Sequence, residues 1–144
     1  DNAATFICGT CSPEVKRLVD TTRESLYKGI EAAVPGNRIG DIGNAVQAYC
    51  EERGYGVVRD YVGHGVGKKL HEEPSVPNFG HAGRGIRLSP GMTLAIEPMI
   101  NLGTYKVKQL SDGWTVKTAD GKASAHFEHT VAITSNGPVI MTRA

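Results

Sequence analysis

Gly63-His64-Gly65-Val66-Gly67-Lys68-Lys69-Leu70-His71-Glu72-Glu73-Pro74 divides the chain into two kinds of sequence. Three glycines alternate with an imidazole and a valine, a composition too glycine-rich for a helix interior, so the stretch reads as a shaped loop or a strand end. Before it, apolar residues recur at helical spacing; after it, they alternate as in strands. Glycine lets a backbone pass close to a ligand, and a neutral His offers a lone pair to a metal or a proton to a reacting group. The combination points to chemistry more than to packing.

Upstream, Ser12-Pro13-Glu14 is a helix start, with a hydroxyl at the N-cap, Pro at the first helical position and a carboxylate in the first turn. Val15, Leu18, Val19, Thr22, Leu26, Ile30 and Ala33 continue it as one apolar stripe, which Pro35-Gly36 ends. Asn37 then reads as the cap of a second helix carrying Ile39, Ile42, Val46, Tyr49 and Cys50, with Gly54 as its stop. Both helices suit the role of cover for a sheet. Ala4 to Cys8 reads as a short strand before them.

Tyr55 to Tyr61, between the second helix and the glycine stretch, is a strand candidate; downstream, Pro74 to Pro90 is a long irregular run of the kind that often carries function. Met92 to Glu97 alternates, and Pro98 is expected to close that ladder. Tyr105 to Leu110 and Trp114 to Thr118 flank Ser111-Asp112-Gly113 as a hairpin. Ser124 to Thr134 alternates as one strand, with Ser124, His126, Glu128 and Thr130 on one face, and Gly137 to Met141 is a last short strand. Two helices followed by a mainly antiparallel sheet make an α+β pattern, with no linker that would divide residues 1–144.

With 144 residues the chain is long enough for a substantial core, and its formal charge of +1 offers no basic field for nucleic acid. No run approaches the length of a membrane span, and the start carries no signal pattern, so a cytoplasmic protein is expected. Three cysteines are too few for a disulfide scaffold and fit a reducing compartment. Cys8-Gly9-Thr10-Cys11 has the spacing of a zinc knuckle or redox pair, but lacks the second pair a zinc site needs, and reads as two free thiols at a strand end. The opening Asp1-Asn2, with no Met and no polar approach to the first element, reads as part of something longer.

Glu97 and Glu128 fall on small or polar faces of otherwise apolar strands, where an unpartnered carboxylate is expensive to bury. The nearest cations in these segments are Lys106 and Lys122, whereas a divalent cation would accept both carboxylates and an imidazole together. With Asp1 the set is oxygen-rich with one nitrogen, which suits Mn, Fe, Co or Zn. A Glu beside Pro also reads as a turn residue, and His64 as a surface His in a glycine turn; composition leaves both open. His71-Glu72-Glu73 lacks the second His of the helical zinc-protease pattern. His81 reads as solvent-exposed, and His126 and His129 lie on opposite faces, so at most one points where Glu128 points.

Gly63-His64-Gly65-Val66-Gly67, His71-Glu72-Glu73-Pro74, Ile96-Glu97-Pro98-Met99 and Phe127-Glu128-His129-Thr130, in this order, resemble the type I methionine aminopeptidases. The helices and Asp112-Gly113-Trp114-Thr115-Val116-Lys117-Thr118 fit as well, so the resemblance spans essentially the whole chain. It implies a pita-bread α+β fold, here the carboxyl-terminal half of the catalytic domain, and two divalent ions held by two Asp, one His and two Glu. The matching positions are Asp1, His64, Glu97 and Glu128. The first Asp ligand, an upstream substrate-contacting His and much of the hydrophobic pocket for the methionine side chain have no counterpart in the chain, which alone is therefore expected to be inactive. The family's scheme has a water, its pKa lowered by the cations, attacking the carbonyl of an amino-terminal methionine. It implies Glu97 as proton shuttle, His71 as hydrogen-bonding group to the scissile amide and oxyanion, and Leu70, where some members carry Phe, and Trp114 as walls of the methionine pocket; core packing is the other reading of Trp114. The implied substrates are peptides and nascent polypeptides, met at the ribosome, with Met first and a small residue second. Prolyl-peptide enzymes of the same fold share the His-Gly and Glu-Pro elements, but Met99 and Phe127-Glu128-His129-Thr130 favour the methionine type. Non-catalytic binding members tend to lose ligands, and all that this chain could supply are present.

Overall fold

A computed structural model describes residues 1–143. Helix α1 (Pro13–Ala32) starts as its sequence requires: Ser12 Oγ accepts from the Val15 amide at 3.3 Å, and Pro13 occupies the first turn. Helix α2 (Ile39–Glu51) starts differently from expectation. Arg38 is its N-cap, and the Asp41 carboxylate accepts from the Arg38 amide at 2.7 Å. Asn37 faces backwards, its side-chain amide donating to the Ala32 carbonyl at 2.9 Å, so it finishes the first helix and not the second.

The strands form three sheets. The largest contains β1 (Asn2–Ala3), β3 (Gly63–Gly65), β4 (Glu72–Val76), β5 (Thr93–Ile96), β10 (Glu128–Thr134) and β11 (Gly137–Ile140), with β1-β10-β5-β3-β4 running across it and β11 beside β10. A smaller sheet orders β2 (Gly56–Val57), β6 (Met99–Asn101) and β9 (Ser124–His126), and β7 (Val107–Gln109) pairs with β8 (Val116–Thr118) as a separate hairpin. Every pairing is antiparallel.

The helices cover both larger sheets. Leu26, Ile30 and Ile42 pack with Leu94, Ile96 and Val131 of the six-stranded sheet. Leu18, Val46 and Cys50 pack with Val57, Ile100 and Ala125 of the smaller one. Burial of this apolar surface, at about 25 cal/mol per Å², fixes the helices over both sheets.

Several boundaries differ from the sequence reading, and the differences build the site. The ladder of Met92 to Glu97 closes before Pro98 as expected, but the chain does not turn into a loop there: it passes through Glu97-Pro98 from β5 into β6 of the other sheet. Ser124 to Thr134 is not one strand but β9 and β10, broken at Phe127, where the chain crosses back. The two crossings lie side by side, since the Phe127 amide donates to the Pro98 carbonyl at 3.3 Å. Pro98 lacks the N–H needed to continue a ladder, which explains the break but not the new strand beyond it.

The glycine stretch is a strand with neighbours on both sides, β5 and β4, and part of the expected irregular run belongs to β4. A Cβ on Gly63 would lie 2.2 Å from the Ala95 carbonyl oxygen, and one on Gly65 would lie 2.3 Å from that of Glu73. Glycine is required here by approaching backbones, not by a ligand. The expected strand from Ala4 to Cys8 is absent: only Asn2–Ala3 pairs with β10, and Phe6 stands 82% exposed. Tyr55 to Tyr61 contributes only β2.

Candidate metal centre

The two sheet crossings and the glycine strand converge on one place. Strand β3 sets His64 opposite Ala95 of β5, two residues before Glu97. Strand β10 sets Glu128 opposite Ala3 of β1, which brings Asp1 alongside. Asp1 is held by its carbonyl, which accepts from Thr130 Oγ1 at 2.8 Å. Glu97 is held by its carbonyl too, which accepts from the Asn78 side-chain amide at 3.1 Å.

One donor atom each from His64, Glu97 and Glu128 lie within 4.8 Å of one another, as do one each from Asp1, His64 and His71. His64 belongs to both groups. Its Nε2 is 3.7 Å from Asp1 Oδ2 and 3.7 Å from Glu97 Oε1. Its Nδ1 is 2.9 Å from the Gly65 carbonyl, an oxygen that can only accept. Nδ1 therefore donates to that carbonyl, which turns Nε2 towards the carboxylates, the orientation a ligating histidine needs.

Glu128 is 4% exposed, and its Oε1 has no hydrogen-bond partner. Burial, and then the charge of Glu97, push its carboxyl above the ordinary value. A buried, unpartnered oxygen facing a second carboxylate and an imidazole lone pair lacks a positive charge. The donor set fits a divalent cation of the kind that accepts carboxylate oxygen and imidazole nitrogen together.

The ligand residues expected from the sequence, Asp1, His64, Glu97 and Glu128, are thus brought together. His71 joins them, its ring centroid 4.2 Å from that of His64, on the exposed side of the group. Leu70, next to it, is 54% exposed. Trp114 is not in this cluster, and it is not in the core either: it is 89% exposed on the β7–β8 hairpin. Asp112 shapes that turn, accepting from the Thr115 hydroxyl and from the amides of Trp114 and Thr115, which hold its carboxyl below the ordinary value.

Of the remaining histidines, His81 is exposed, and His129 turns away from the site, with Nδ1 2.9 Å from Thr142 Oγ1 and its ring against Tyr27. His126 turns towards it. That agrees with the alternation, which sets His126 on the face of Glu128 and His129 on the other; its Nε2 lies 3.4 Å from Glu97 Oε2, a partner the pattern does not name because Glu97 comes from the other sheet crossing. His126 also lines a cavity of about 190 Å³ whose walls include Val58, Tyr61, Met99, Val107 and Val116. The three cysteines are free thiols as expected, Cys8 and Cys11 exposed and Cys50 buried, although no strand runs up to Cys8.

Comparison with known proteins accords with this geometry. The sequence model described as metallopeptidase family M24 matches residues 1–135. The chain is 59% identical over 142 residues to a methionine aminopeptidase of Clostridium perfringens, covering 99% of this chain and 57% of that one. It is 54% identical over 143 residues to methionine aminopeptidase 1 of Bacillus subtilis, covering 99% and 58%. Among solved structures, methionine aminopeptidase from Thermotoga maritima superposes with a TM-score of 0.97 at 50% identity, over 99% of this chain and 57% of that one. The prolidase from Pyrococcus horikoshii superposes at 0.76 and 25% identity, over 99% and 35%. The chain spans a little over half the length of the curated relatives it matches. Its two helices and curled antiparallel sheet have the pita-bread fold of those enzymes.

Proposed function

From the premise that the chain belongs to metallopeptidase family M24, we propose that it is part of the catalytic domain of an enzyme that removes the amino-terminal methionine from peptides and nascent proteins. The observation that carries the reading is Glu128 Oε1, buried and unpartnered opposite Glu97 and His64. Asp1, His64, Glu97 and Glu128 would hold two divalent cations, with Co, Mn, Fe and Zn all compatible with this set. When bound, such cations polarise a carbonyl and lower the pKa of a water.

The chain's own groups supply the rest. Glu97 is the base that takes a proton from the attacking water and passes it to the leaving amine. His64 keeps its proton on Nδ1, which leaves Nε2 as a donor of electrons only. His71, on the open side of the group, donates to the scissile amide and then to the developing oxyanion. The cavity beside His126, with apolar walls from Val58, Met99, Val107 and Val116 and polar ones from Asn101 and Ser124, would form part of the wall around the methionine side chain, with Leu70 and Trp114 contributing apolar surface to the bound peptide. A small second residue and action in the cytoplasm, on chains leaving the ribosome, complete the proposal; no helix among the described residues is long and apolar enough to cross a membrane. The prolyl-peptide reading is less favoured, since resemblance to a prolidase stops at 25% identity where that to methionine aminopeptidases reaches 50–59%.

The test is release of Met from a Met-Ala-Ser peptide by the cation-loaded whole protein and its Glu97→Gln variant. The variant is expected to lose on the order of 10³ in turnover, within the range of general-base removal. Near-normal turnover would remove Glu97 from the mechanism.

A further inference from the structure

The carboxylate of Glu97 is shared between two imidazoles. Oε1 faces His64, and Oε2 faces His126 Nε2 at 3.4 Å. These imidazoles are not equivalent. His64 stands in both clusters of mutually close donor atoms, whereas His126 is in neither. Its nitrogen reaches one ligand of the site and not the common centre.

His126 is also firmly placed. Its Cα pairs with that of Met99 in the β6–β9 ladder. On the other side, Thr5 grips its backbone twice, Oγ1 accepting from the His126 amide at 2.9 Å and donating to the His126 carbonyl at 2.8 Å. That double contact gives the irregular segment after β1 a purpose: it clamps the strand end carrying His126. The Nε2 so placed is buried and has no hydrogen-bond partner. At 3.4 Å the contact with Oε2 is slightly longer than a good N–H···O bond, and a small rotation of the carboxylate completes it.

We propose that His126 is a positioning residue for Glu97: its ring donates Nε2–H to Oε2, so that Oε1 is presented to the cation in one orientation. The inference rests on the reading of Glu97 as a cation ligand. Groups that orient ligands from outside typically contribute 10–100-fold in metal affinity.

The test uses the whole protein stripped of metal and titrated calorimetrically with Mn²⁺, as wild type, His126→Leu, His126→Ala and His126→Gln. Leu keeps the volume without a donor, Ala removes both, and the Gln amide restores an N–H. The account expects Leu and Ala to bind Mn²⁺ about 10–100-fold more weakly and Gln to recover to within a few-fold of wild type. The Co²⁺-loaded Gln variant should keep the visible band positions of the wild type, because the nitrogen acts outside the coordination shell. Circular dichroism of the metal-free forms identifies any variant that fails to fold, and the folded ones decide. Wild-type affinity in Leu or Ala overturns the inference. So does a Gln variant as weak as Leu with shifted Co²⁺ bands, which would make His126 a direct ligand. Absence of saturable binding by wild type would overturn the cation-site reading itself, and this inference with it.

Discussion

Two strand breaks, at Glu97-Pro98 and Phe127, and one hairpin, β7–β8, each carry residues expected at the site, and they carry them differently. At the breaks, Glu97 and Glu128 are fixed by ladders on both sides of them, by the Phe127–Pro98 hydrogen bond and by Asn78. On the hairpin, the backbone around Trp114 is pinned by Asp112, but the indole itself stands in solvent. Both carboxylates are placed by register, and that of Glu128 is buried at an electrostatic cost. Trp114 is placed by a turn, and the described residues give its ring nothing to pack against. Ligand side chains can therefore be fixed in place within this chain while a substrate wall is only presented by it.

That contrast can be broken by substitution. The largest effect on folding is expected at the strand that carries His64. Gly63→Ala would push a Cβ to 2.2 Å from the Ala95 carbonyl and should cost about 3 kcal/mol in chemical denaturation. A loss under about 0.5 kcal/mol would mean that β3 and β5 are not locked together as described. A smaller effect of opposite sign is expected at Glu128. Glu128→Gln removes a buried carboxylate facing Glu97, so the metal-free whole protein should gain roughly 1 kcal/mol while losing its stabilisation by added Mn²⁺. Destabilisation of the metal-free form would show that Glu128 is already satisfied without a cation. The smallest effect on stability belongs to Trp114→Ala, expected within about 0.5 kcal/mol of wild type because the ring is exposed. The same variant should lose roughly tenfold in kcat/KM for Met-Ala-Ser, a pocket-sized effect. A large loss of stability with unchanged kinetics would return Trp114 to the core.

Much of the fold was legible where local chemistry determines it. Ser12-Pro13 placed the start of α1, and alternation placed the strand leading to Glu97. The candidate site was legible through its motifs: the family resemblance named Asp1, His64, Glu97 and Glu128, where the residues alone left His64 and Glu97 open. What escaped was the sheet switching. Period-two alternation runs unbroken from Ser124 to Thr134, yet the chain changes sheets at Phe127, because Phe127 bonds to Pro98 across the gap and not to a partner in either ladder. Alternation placed His126 on the face of Glu128 but could not name its partner, because Glu97 comes from the other crossing. The glycines of β3 misled in a different way, since what they admit is a neighbouring carbonyl and not a ligand. Asn37 and the Ala4–Cys8 segment show that a good cap and an apolar run are both overridden when a tertiary contact, to Ala32 or through Thr5 to His126, is available.

The central claim is that His64, Glu97 and Glu128 form one cation site. Calorimetric titration of Mn²⁺ into the metal-stripped whole protein, beside a variant combining His64→Ala, Glu97→Gln and Glu128→Gln, tests it most directly. The account predicts saturable binding by the wild type and none by the triple variant, with both folded by circular dichroism. Equal binding by the two would contradict it.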